Sequence, residues 1–126
     1  RVSISTNGDF LAVEADSPDQ GLLQMFDMRS LTRLWSIDGS VCPSGITSPV
    51  FSPTNLLLAC GSEHDHPTIR LLHPRDGRCL VSLKSRLCAG HLTGITKVCF
   101  GPDGTLLASG DISGRVCIWS LRSIQE

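Results

Sequence analysis

From Ile95 to Ser120, apolar and polar positions alternate in short runs separated by turn residues. In Ile95-Thr96-Lys97-Val98-Cys99-Phe100, the first, third and fifth residues point one way and the other three the opposite way, which is the two-residue period of a β-strand. Gly101-Pro102-Asp103-Gly104 predicts a tight turn, because Pro102 fixes φ and Gly104 reaches φ > 0 without steric cost. Leu106 to Ser109 then returns antiparallel. A second turn, Asp111-Ile112-Ser113-Gly114, leads into a third strand from Arg115 to Ser120.

The pattern recurs upstream. Ile4-Ser5-Thr6-Asn7-Gly8-Asp9-Phe10-Leu11-Ala12 aligns with Phe51 to Ala59 and with Phe100 to Ala108, at offsets of 47 residues (Ile4 to Phe51) and 49 (Phe51 to Phe100). The third strands keep the same beat, since Phe26, Leu72 and Trp119 are 46 and 47 residues apart. Leucine-rich and helical repeats do not fit, because the apolar residues alternate as in strands and each run is too short for a paired helix. Fourth strands are predicted at Thr32 to Ile37 and Leu80 to Lys84, and none after Trp119 before the chain stops. The connection between second and third strands is longer in the first two copies, Asp16 to Gly21 and Ser62 to Pro67, a lengthening that loop-closure entropy penalises only weakly.

Ala89 to Leu121 closely resembles one WD repeat. Gly90-His91 stands where that family places its GH pair, and Trp119 where it carries the Trp of its WD dipeptide, with Ser120 replacing the Asp. In the family a loop His, a strand Ser or Thr, a turn Asp and the Trp form a hydrogen-bonded set. By position these are His91, Ser109, Ser113 and Trp119, with Ser113 in place of the Asp, so the charged version of that bond is expected to be missing. Phe26-Asp27 and Leu72-His73 stand in for Trp-Asp in the earlier copies.

The resemblance implies an all-β architecture of three consecutive four-stranded antiparallel blades, at 1–40, 41–86 and 87–126, from an incomplete β-propeller. Propellers have roughly four to eight blades, so three are expected to be part of a larger ring, with the remaining blades of the same full-length chain as partners. Self-association into a six-blade ring is the alternative. The first residue being Arg rather than Met agrees with a chain that begins inside a longer one.

Composition bounds the function. The 126 residues are 40% hydrophobic and 18% charged with a formal net charge of −1, so no global electrostatic argument favours nucleic acid or an anionic membrane. No run is long enough to span a bilayer, and no signal-peptide pattern occurs. With four Phe, two Trp and no Tyr, the chain lacks the aromatic platform of a single-strand nucleic-acid binder. Of the six cysteines, Cys60, Cys99 and Cys117 fall at strand positions that suit small apolar residues, and no C-x-x-C pair exists. They read as buried and reduced, which places the chain in cytoplasm or nucleus.

No motif carries catalysis, and no cofactor is implied: there is no G-x-S-x-G and no phosphate-cradling glycine loop before a helix. Glu63-His64-Asp65-His66 is the one metal-like cluster. It lacks a spaced partner set for four-coordinate zinc and reads as a solvated loop, with His66 at the turn position of Ser113. In a propeller the loops between strands two and three share an end with the inter-blade loops. That end collects Asp16, Asp19, Asp38, Glu63, Asp65 and Asp111 against Arg86 and should be acidic. The opposite end carries Arg29, Arg75, Arg78 and Arg122, with Asp9, Asp76 and Asp103 among them, and arginine suits recognition of carboxylates and phosphates.

The function implied is a non-catalytic protein–protein interaction scaffold in an intracellular assembly. Two alternatives stay open. Phe26-Asp27-Met28-Arg29 resembles the W-D-x-R box with which some WD-repeat substrate receptors of cullin-type ubiquitin ligases dock on their adaptor. The arginine-bearing end could instead hold nucleic acid or an acidic tail, cytoskeletal ones included.

Overall fold

The structure is a computed structural model that describes residues 1–14, 23–38, 46–62, 68–83 and 94–122. Eleven strands follow in order: β1 (Val2–Ile4), β2 (Phe10–Glu14), β3 (Leu23–Asp27), β4 (Thr32–Ile37), β5 (Thr47–Phe51), β6 (Leu58–Gly61), β7 (Ile69–Leu72), β8 (Cys79–Leu83), β9 (Ile95–Phe100), β10 (Leu106–Asp111) and β11 (Val116–Ser120). They form three antiparallel meanders, β1-β2-β3-β4, β5-β6-β7-β8 and β9-β10-β11. The architecture is all-β among the described residues, with two sheets of four strands and one of three.

The hairpin after the first strand is built three times from the same parts. Ser5, Ser52 and Gly101 each donate a backbone N–H to the carbonyl of Phe10, Leu57 and Leu106, at 3.0, 2.9 and 2.8 Å. The residue that reverses the chain sits at φ +76° in Gly8, +62° in Asn55 and +78° in Gly104. Asparagine is among the few non-glycine residues that visit this region readily, which is why the second copy turns without a glycine. In the first two copies the buried serine hydroxyl also accepts a strand N–H, Phe10 to Ser5 Oγ at 3.0 Å and Leu57 to Ser52 Oγ at 3.1 Å.

Bulges recur with the same period. On β4 the register steps from Trp35 to Arg33 opposite Met25 and Phe26, leaving Leu34 extra; on β8 it steps from Val81 to Cys79, leaving Leu80 extra. Thr96 on β9 is likewise skipped, with Ile95 opposite Asp111 and Lys97 opposite Gly110. That extra residue corrects the simple alternation expected for this strand. Ile95 turns to the same side as Val98, and both are buried in one cluster.

The sheets stack face to face. Phe10, Ala12, Leu23 and Met25 on the trailing face of the first sheet pack against Ile46 and against Phe51, Leu58, Cys60 and Leu72 of the second. One period on, Leu57, Ala59, Ile69 and Leu71 pack against Ile95, Val98, Leu107 and Leu121 beside the third, with Phe100 and Trp119 partly buried there. Closeness of approach is set at two glycines. A methyl group on Gly61 would lie 2.6 Å from Ile95 Cγ2, and one on Gly77 2.7 Å from the Trp35 ring. The same ring donates its Nε1–H to the Pro74 carbonyl at 2.7 Å, so β4 of the first sheet is tied to the β7–β8 turn of the second. Thr6 N–H and Asn55 Oδ1, 2.9 Å apart, join the two hairpins, and Ile95 N–H reaches Ser62 O at 2.9 Å between the second and third sheets.

The thiols are less uniform than their strand positions suggest. Cys60 is buried, but Cys99 is exposed and Cys117 only half-buried. Cys99 pairs with Ala108 across β9 and β10, on the side of the third sheet that the second does not cover. The exposed Cys79 is a fourth cysteine among the described residues, while Cys42 and Cys88 lie outside them.

Candidate interaction surface

In each meander the connection between first and second strands lies at one end, together with that between third and fourth in the two four-stranded sheets, and this end carries the arginines. Met28 N–H donates to Asp9 O, joining the two turns of the first sheet, and Leu121 N–H donates to Thr105 O in the third. Arginine and aspartate are interleaved here. Arg29 Nε lies 3.3 Å from Asp9 Oδ1 and keeps 84% of its side chain exposed. Asp27 Oδ1 accepts the backbone N–H groups of Arg29 and Ser30, which fold the turn back on itself. Within the Phe26-Asp27-Met28-Arg29 box, the aspartate therefore caps its own turn and the arginine faces a neighbouring carboxylate.

Arg75 sits over the Phe10 ring at 5.2 Å, and Phe10 stacks on Phe51 at 6.4 Å, so the guanidinium closes the seam between the first and second sheets. In its turn, His73 Nδ1 accepts Arg75 N–H and faces Asp76 at 3.5 Å, and Asp76 accepts Arg78 N–H at 2.9 Å. Asp103 accepts both the N–H and the hydroxyl of Thr105.

These bonds hold three carboxyls, those of half-buried Asp27 and of exposed Asp76 and Asp103, below their ordinary value of 3.8. Backbone N–H donors are the main cause at Asp27 and Asp76; for Asp103 it is the Thr105 N–H and then its hydroxyl. Smaller contributions come from Arg75 and Arg29 at Asp27, His73 and Arg78 at Asp76, and Arg122 at Asp103. As pH falls, the unfolded chain takes up these protons first. The stability they confer is present above pH 3.8 and is lost as pH falls through the lower folded values. Urea midpoints should therefore drop below about pH 4, and a triple Asp27→Asn, Asp76→Asn, Asp103→Asn variant should show a shallower drop. An equally steep drop in that variant would contradict this origin.

The opposite end is less acidic among the described residues than the sequence suggests. Asp111 is a buried terminus of β10, not a solvated loop carboxylate: its Oδ1 accepts Ser113 Oγ–H at 2.6 Å and Arg115 N–H at 3.0 Å. Asp38 is half-buried, and Asp16, Asp19, Glu63, Asp65 and Arg86 lie outside the described residues, as do His64 and His66.

Of the four residues assigned to the blade's polar set, the structure brings two together. Trp119 Nε1–H donates to the buried Ser109 Oγ at 3.0 Å. Ser113 is exposed and bonds to Asp111, and His91 lies outside the described residues. Asp111 is the residue that positional matching overlooked, two places before the serine that was matched to an Asp. Its counterpart Ser62 does the same work in the second sheet, accepting Thr68 N–H at 2.9 Å. At the position of Ser109 and Trp119 that sheet instead buries Cys60 and Leu72. A double-mutant cycle on Trp119→Phe and Ser109→Ala should give a coupling of about 0.5–1.5 kcal/mol in urea unfolding; strict additivity would refute the bond.

The WD domain, G-beta repeat, matches residues 77–120. This stretch takes in β8 of the second sheet and all three strands of the third. The chain thus carries a WD repeat over these residues. The WD-repeat chain is 38% identical over 71 residues to pre-rRNA-processing protein pro-1 of Caenorhabditis briggsae, covering 56% of this chain and 10% of that protein. It is 36% identical over 73 residues to angio-associated migratory cell protein of Homo sapiens, covering 58% and 15%. With telomerase Cajal body protein 1 of Mus musculus it shares 43% identity over 81 residues, covering 63% and 14%. The alignments thus span only a small part of each relative's length. WD repeats are in general non-catalytic interaction modules.

Proposed function

We propose that this WD-repeat chain is a non-catalytic scaffold that presents the arginine-bearing end of its blades to a protein partner within an intracellular, nuclear assembly. One observation carries the choice of surface: Arg29, Arg75 and Arg78 project from turns whose backbones are fixed by Asp27 and Asp76, and Arg122 follows β11 beside the turn fixed by Asp103. Such turns hold their side chains at low entropic cost on binding. The interleaving of carboxylates with guanidinium groups favours a protein partner with charges of both signs over a polyanion, whose recognition calls for an unbroken basic track. Nuclear placement rests on the relatives' names, which speak of pre-rRNA processing and the Cajal body.

The test uses the full chain, tagged and recovered from cells. A stoichiometric protein partner is expected, resistant to nuclease, and depleted at least about 10-fold by joint Arg78→Glu and Arg122→Glu substitution with the urea midpoint unchanged. Undiminished recovery would move the binding site away from this end. Nuclease-sensitive recovery with a steep salt dependence would favour the nucleic-acid alternative.

A further inference from the structure

The second sheet is covered on both faces by its neighbours, so what its turns leave open is not an end of the stack. The repeat that sets Ser5 against Ser52 also sets Asp9 against Leu56, with Thr105 in the third copy. It likewise sets Arg29 against Arg75, 46 residues on. In the first sheet these two positions form an ion pair, Arg29 Nε to Asp9 Oδ1 at 3.3 Å. In the second the carboxylate is gone and a leucine stands in its place.

Backbone geometry keeps the two positions together. Met28 N–H reaches Asp9 O in the first sheet, and Leu121 N–H reaches Thr105 O in the third. In the second, Leu58 lies opposite Leu72, and the same register carried two residues on sets Leu56 opposite Pro74, next in sequence to Arg75. Leu56 is 56% exposed, whereas the Asp9 side chain is 33% exposed and Thr105 is half-buried. An apolar group left in water contributes little to folding, and polar residues serve the same turn in the other two copies. Arg75 lies over the Phe10 ring and has no ion pair among the described residues; Asp27 feels its charge only at longer range. Its N–H donors remain suited to a carboxylate. Arg78, exposed in the same turn, adds positive charge, while Asp76 is engaged by Arg78 N–H and His73.

We propose that Leu56 and Arg75 form a docking point for an acidic segment of a protein partner. An apolar side chain of that segment rests on Leu56, and a neighbouring Asp or Glu takes the place that Asp9 holds against Arg29. The inference rests on the reading that the arginine-bearing end binds protein, and it names the turns and the partner chemistry.

Short random peptides displayed on phage and selected against the full chain supply the probe. Enriched sequences should carry Asp or Glu close to Leu, Ile or Phe. The enriched peptide, synthesised, should lose at least about 10-fold in affinity on Leu56→Asp, which rebuilds the internal pair of the first sheet. Leu56→Thr removes the apolar contact alone and should cost about 3-fold, while Leu56→Met should bind like the parent. Asp and Thr already serve this turn in the other copies, so circular dichroism and the urea midpoint should stay unchanged. No enrichment, enrichment of basic or uncharged sequences, or binding indifferent to Leu56→Asp would each overturn the proposal. Partner recovery that falls with Arg78→Glu and Arg122→Glu but not with Leu56→Asp would overturn it while sparing the broader reading. Recovery indifferent to those arginines, with peptide binding still dependent on Leu56, would do the reverse.

Discussion

Leu71→Ala should lower the stability of the single chain by about 2–5 kcal/mol, read as a reduced urea midpoint at constant slope. Leu71 is fully buried between the second and third sheets, in a cluster with Ile69, Val98, Leu107 and Leu121. Truncation removes the transfer free energy of the lost side-chain atoms and leaves a cavity between faces whose separation is fixed by their backbones. For a small domain with roughly 5–15 kcal/mol in total, the loss is a large fraction. The control is Ile118→Ala, 47 residues on at the equivalent repeat position. There the side chain is 66% exposed, and the cost should stay within about 0.5 kcal/mol. Equal costs at the two positions would mean that stacking does not distinguish the second sheet from the third.

Gly77→Ala should be nearly as damaging, at about 2–4 kcal/mol, for two separable reasons. Its φ of +75° costs an L-residue roughly 1–2 kcal/mol. The added methyl group would also stand 2.7 Å from the Trp35 ring, so the indole must shift and strain its bond to Pro74 O, an overpacking cost of about 1–3 kcal/mol. Gly8→Ala isolates the first cause, because Gly8 sits at φ +76° with nothing within 4 Å of an added methyl. The difference between the two variants measures the contact between sheets. If both cost the same, Trp35 does not rest on Gly77.

The strands and turns were legible because they depend on local chemistry. Alternation marks β9, and Gly8 and Gly104 announce their turns by composition. Asn55 does so less plainly, yet the residues around it align with both. What stayed hidden depends on a single inserted residue or on tertiary cover. The skipped Thr96 rotates Ile95 onto the face of Val98, which period-two counting cannot foresee. Cys99 looks like a core residue by position and is exposed because its face of the third sheet is uncovered. Asp111 was missed for a different reason: matching a motif one position at a time assigns a role to Ser113, whereas the buried carboxylate two residues earlier receives that serine's hydroxyl.

For the candidate surface, the arginines were visible in the sequence, but their setting was not. Only the folded chain places Arg75 of the second sheet over Phe10 of the first, and Asp9 beside Arg29. Arg75 thus has a place between blades as well as on their surface, and Arg29 is held to its own sheet. Variants for partner mapping should therefore begin with Arg78 and Arg122, where loss of binding is least entangled with loss of packing.

Copies of one blade stack in series, each sheet covered by the one that follows it. A proton NOESY spectrum tests it directly, at the two glycines where neighbouring sheets approach most closely. Cross-peaks are expected from the Ile95 Cγ2 methyl to Gly61 Hα and from the Trp35 ring to Gly77 Hα, the latter shifted upfield by the indole ring current. Gly61 and Gly77 Hα signals at random-coil positions, with no cross-peak to Ile95 or Trp35, would contradict it.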